Sequence, residues 1–84
     1  MSISALDEYI FNVRRALWKK TGSMDAGDAL AYPLAWYIRT GRASVMFLEL
    51  LAQKSPVRVA NNLLKGGSVE EAINRLKIYL GYPI

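Results

Sequence analysis

The sequence predicts an all-α fold, a compact bundle of four to five short helices in a single helical domain over 1–84, kinked or broken near Pro33. Three observations carry that prediction. Apolar residues recur at spacings of three and four in segment after segment, the period of a half-buried helix. Serines stand where helices would begin, at Ser4, Ser55 and Ser68, and glycines where they would end, at Gly22, Gly41, Gly66 and Gly81. No alternating run of β-branched residues is long enough for a strand.

The first helix is expected over Ala5–Lys20, with Ser4 as N-cap and Asp7 standing in for the usual acid of a capping box. Ile3, Leu6, Ile10, Val13 and Leu17 form a narrow seam along it. Phe11 and Trp18 form a second apolar strip about 100–120° away, beside Arg15, at 100° per residue. The second helix has plausible caps at Ser23 and Asp25, and Gly27 weakens its first turn. Pro33 removes a backbone donor inside the pattern, which predicts a kink or two short helices meeting at Tyr32 and Pro33.

The stretch Leu30–Ala52 holds two nearly charge-free blocks joined by Arg39, Thr40, Gly41 and Arg42. Helices apolar on most sides are buried ones, so this pair is expected to form a helical hairpin at the centre of the fold. Gly41 supplies the left-handed residue that closes the first block, which carries Leu30, Leu34, Tyr37 and Ile38. Each block is about half the roughly 20 apolar residues of a membrane-spanning helix, and the two arginines would fall at the bilayer centre. The third helix runs from Ala43 to about Lys54, with Leu48 in the core beside Val45, Leu51 and Ala52. Ser55 and Pro56 open the fourth, whose inward residues are Val57, Ala60, Leu63 and Leu64. Ser68 and Glu71 make a capping box for the fifth, with Val69, Ala72, Ile73, Leu76, Tyr79 and Leu80 inward and Gly81 and Pro83 at its end.

Function is bounded mainly by what the sequence lacks. With no His and no Cys, the usual zinc, haem, thiol and Ser-His-Asp arrangements are excluded. Asp25 and Asp28 lie three apart, an incomplete ligand set for a metal and a natural pair for a helix N-terminus. Gly66-Gly67-Ser68 lacks the strand and the Lys of a phosphate loop. The expectation is a protein that is not an enzyme and uses no cofactor and no metal. The first residues, with acids at Asp7 and Glu8, do not have the form of a signal peptide, which with the absence of Cys predicts a cytoplasmic location.

The chain is 52% hydrophobic and 21% charged, more apolar surface than 84 residues readily hide in a monomer. The expected function is therefore that of a small regulatory, adaptor or inhibitor protein acting by protein–protein interaction. Phe11, Arg15 and Trp18 are the partner-binding residues, toward another protein or a second copy in a homo-oligomer. Tyr32, Trp36 and Tyr37 are assigned to core packing rather than to a ligand pocket, because no convergent polar groups accompany them. The alternative is a nucleic-acid-binding transcriptional regulator, since the net charge is +4 and the segment 45–80 has the outline of a tri-helical DNA-binding core. Arg58, Asn61, Asn62 and Lys65 would then read or grip nucleic acid, with Arg14, Arg15 and Lys19 on phosphates. Glu70 and Glu71 open the fifth helix, where a reading helix would meet phosphates, and would repel them.

Overall fold

In the computed structural model, which describes residues 3–83 and of Ile3 only the backbone, five helices follow one another. They are α1 (Ile3–Thr21), α2 (Met24–Arg39), α3 (Val45–Ala52), α4 (Pro56–Leu63) and α5 (Val69–Leu80). Helix accounts for 78% of the described residues and strand for none.

Local chemistry explains most of the boundaries. Ser23, Ser44, Ser55 and Ser68 each sit in extended backbone and accept a hydrogen bond from the amide three residues on, those of Ala26, Phe47, Arg58 and Glu71. Ser23 is thus the cap of α2, not Asp25. Ser44 starts α3 later than expected, and the helix stops at Ala52. Ser4 is already inside α1, so it is not the cap. Gly41 and Gly81 take positive φ, and the amides after them, on Arg42 and Tyr82, reach back to the Tyr37 and Lys77 carbonyls at 3.2 and 2.9 Å. This is the bonding of a Schellman closure. Gly66 has no positive φ and acts instead through its missing side chain, since a Cβ there would lie 2.7 Å from that of Ala72. The capping box at Ser68 forms in one direction only, because the Glu71 carboxylate takes Arg75 Nε at 3.2 Å.

Pro33 does not break α2, which runs continuously from Met24 to Arg39. The proline deprives only the Ala29 carbonyl of its donor, and Ala29 is exposed, so water can take that place. Pro33 itself is buried, and its burial helps offset the lost bond.

The expected central hairpin is not the organising unit. The longest helix, α1, is: it packs along both α2 and α4, and α5 covers α2, α4 and part of α3. Val13 and Leu17 of α1 are wholly buried, whereas α3 is a peripheral helix of eight residues. It buries Phe47 and Leu51 completely, leaves Leu48 half-buried, and exposes Val45, Met46 and Ala52. Eight residues make barely two turns, which can meet the core on one side only. In α4 the buried set is Val59, Ala60 and Leu63, while Val57 and Leu64 face out. The α5 stripe is as expected at Ala72, Ile73, Leu76 and Leu80, with Val69 and Tyr79 half-buried. In the α1 seam Val13 and Leu17 are core, Leu6 and Ile10 are half-buried, and the Ile3 side chain lies outside the described residues.

Candidate functional site

The junction of α1 with α2 begins with a glycine. Gly27 is buried against α1 so closely that a Cβ would stand 2.7 Å from Trp18 Cδ1 and 2.8 Å from the Trp18 backbone nitrogen. This approach brings Asp28, one residue on, to the side chains of Trp18 and Arg14. The indole N–H donates to Asp28 Oδ1 at 2.6 Å, and Arg14 donates through Nε and Nη2 to the two carboxylate oxygens, each at 3.1 Å. Arg14 also lies over the Trp18 ring at 5.2 Å, and the Phe11 ring meets the indole edge-on at 5.8 Å. The Arg14 hydrogen bonds, and after them the Trp18 bond, hold the Asp28 carboxyl below the usual carboxylate range.

Beside this clamp runs a groove of about 560 Å³ between α1 and α2. Leu6, Ile10, Ala31, Ala35 and Ile38 give it an apolar lining, with Asp7, Asp28, Arg14 and Arg39 among its polar residues. Each helix contributes one exposed aromatic to it, Phe11 at 44% and Tyr32 at 53% exposure. The small side chains of Ala31 and Ala35 leave room between the helices.

The residues expected at a partner surface therefore divide. Phe11 is exposed on this groove, and Arg15 is exposed with its guanidinium 6.0 Å from the Phe11 ring centre. Trp18 is half-buried and engaged with α2. Of the residues assigned to nucleic acid, Arg58 and Asn61 are exposed on α4, Lys65 in the turn after it and Lys19 on α1. Asn62 is half-buried and donates its amide to the Arg58 carbonyl at 3.1 Å, and Arg14 is held by Asp28. Tyr32, Trp36 and Tyr37 also depart from expectation. Only Tyr37 is buried, and all three line a second groove that does gather polar groups. Sequence reasoning gave Asp28 to a helix N-terminus and Tyr32 to the core and passed over the two alanines, because their roles depend on which face of α2 meets α1.

Among the described residues no helix is long and apolar enough to cross a membrane, and no three His, Cys, Asp or Glu gather as a metal site. The fold and grooves define a small helical module with open, mixed apolar and charged surfaces. No protein-family model, curated protein or solved structure matches the chain.

Proposed function

We propose that this protein is a non-enzymatic regulatory, adaptor or inhibitor module that docks one amphipathic helix of another protein into the α1/α2 groove. The supporting observation is the groove itself, with an apolar lining of Leu6, Ile10, Ala31, Ala35 and Ile38 flanked by charged residues and an exposed aromatic from each helix. Helix-in-groove recognition uses apolar anchors at i, i+3, i+4 and i+7 against such a channel, and aromatics supply most of the energy at interfaces. The partner helix carries acidic flanks, because the chain bears a net charge of +4 and Arg15, Lys19 and Lys20 on α1 have no ion-pair partner among the described residues.

Phe11→Ala and Ala35→Glu test this reading. Both are expected to remove binding by at least tenfold while sparing the melting temperature, whereas Ile78→Ala, at an exposed site away from both grooves, leaves binding intact. Light scattering at micromolar concentration distinguishes a second copy from a foreign helix as the occupant. A chain that stays monomeric and whose Phe11→Ala variant keeps every interaction of the parent overturns the proposal.

One feature favours the second reading, binding of nucleic acid. Arg58 and Asn61 lie exposed on α4, a helix without an acid, and Lys65 lies exposed in the turn just after it. On that reading affinity falls with salt at a log–log slope near −0.9 per duplex phosphate contact, and Arg58→Ala with Lys65→Ala flattens it by about 2. Docking in the α1/α2 groove leaves that double variant unaffected.

A further inference from the structure

The second groove lies between α2 and α5, encloses about 700 Å³ and is within the usual range for small-ligand sites. Its apolar surface comes from Tyr32, Trp36, Tyr37, Val69 and Ile73. Two cations complete it. The Arg42 guanidinium sits 4.8 Å from the Trp36 ring centre, and Lys77 Nζ sits 5.2 Å from that of Tyr37 and 5.5 Å from that of Tyr82. Neither has a carboxylate within ion-pair distance among the described residues, although Glu70 also lines the groove. A ring contact of this kind uses none of the guanidinium N–H donors, which keep the fork that matches a carboxylate or phosphate. The ring contact also restrains a side chain that would otherwise lose rotamer freedom on binding.

From this arrangement we propose that the α2/α5 groove binds a small organic oxyanion, a carboxylate or phosphate carried on a flat aromatic body. The oxyanion bridges Arg42 and Lys77, and the ring lies against Tyr32, the most exposed aromatic of the groove. The site shares Tyr32 with the docking groove, but Phe11 does not line it and Arg42 and Lys77 do not line the other, so substitutions at those residues separate the two.

Titration of the isotope-labelled chain with benzoate, phenyl phosphate, inorganic phosphate and uncharged benzyl alcohol tests the inference, followed through the Trp36 indole N–H and the Arg42 side chain. Benzoate or phenyl phosphate is expected to give saturable shifts at both positions, and which of the two binds tighter identifies the oxyanion. Benzyl alcohol and inorganic phosphate, each lacking one half of the ligand, bind at least tenfold more weakly. Arg42→Gln and Lys77→Met each weaken the better ligand about tenfold, and Phe11→Ala leaves it unchanged. No saturable shift with either aromatic anion at millimolar concentration overturns the proposal, as does equal binding of inorganic phosphate, shifts centred on Arg58 and Lys65, or affinity that survives both groove substitutions.

Discussion

Gly27 and Trp18 carry most of the meaning at the scale of single residues. Gly27→Ala gains up to about 1 kcal/mol of helix propensity, but its methyl meets the Trp18 and Leu17 backbone, which cannot turn aside. Overpacking of that kind costs about 1–3 kcal/mol, so the variant is expected to melt several degrees lower, measurable by circular dichroism. The sequence marks Gly27 only as a weak point in a helix, because a crossing point depends on a partner face that is far away in the chain. Two tyrosines give further tests. Burial, and secondarily Tyr79, pushes the Tyr9 hydroxyl up to about 12. The folded chain thus favours the protonated phenol, and this contribution to stability is complete below pH 10 and lost between about pH 10 and 12. Tyr9→Phe is expected to flatten the fall in melting temperature over that window. The Tyr79 hydroxyl is buried without a hydrogen-bond partner among the described residues, so Tyr79→Phe is expected to hold or raise the melting temperature.

Among the elements, α3 shows where periodicity is sufficient and where it is not. Its apolar residues occupy nearly every position, so sequence cannot select an inward face, and Leu48 appears as good a core residue as Phe47 or Leu51. Tertiary contacts make the choice. Tyr82 packs edge-on against Phe47 at 6.0 Å and its hydroxyl lies 3.0 Å from Ser44 Oγ at the start of the helix. At the other end the Tyr9 hydroxyl lies 3.0 Å from the Leu51 carbonyl oxygen and 2.8 Å from that of Lys54, donating its one proton there. Leu51→Ala is expected to cost about 2–5 kcal/mol, the range for a buried leucine, and Leu48→Ala clearly less. Equal losses in denaturant titrations would return Leu48 to the core. The same ambiguity governs α4, where Val57, Ala60 and Leu64 compete with Val59, Ala60 and Leu63 for the inward side. In α5 the stripe is unambiguous over three turns, and there the sequence is sufficient.

For the molecule as a whole, helix content, the number of helices and most of the caps were legible, because each depends on a few neighbouring residues. The centre of the fold was not. Apolar density pointed to Leu30–Ala52, but length decides which helix can present two faces, and α1 with 19 residues packs on both α2 and α4. Phe11 was legible as a surface aromatic, while the groove beside it required α2 to be laid against α1. The docking proposal makes one demand that neither salt nor bulk binding assays meet as directly, which is that a partner helix lies between Phe11 and Tyr32. Site-specific photo-crosslinking from position 11 and position 32, with position 61 on α4 as reference, measures it. The expected result is a discrete adduct with the same protein from positions 11 and 32, resistant to nuclease, absent from position 61 and abolished by Ala35→Glu. Adducts from position 61 that vanish with nuclease, together with none from positions 11 and 32, would contradict it.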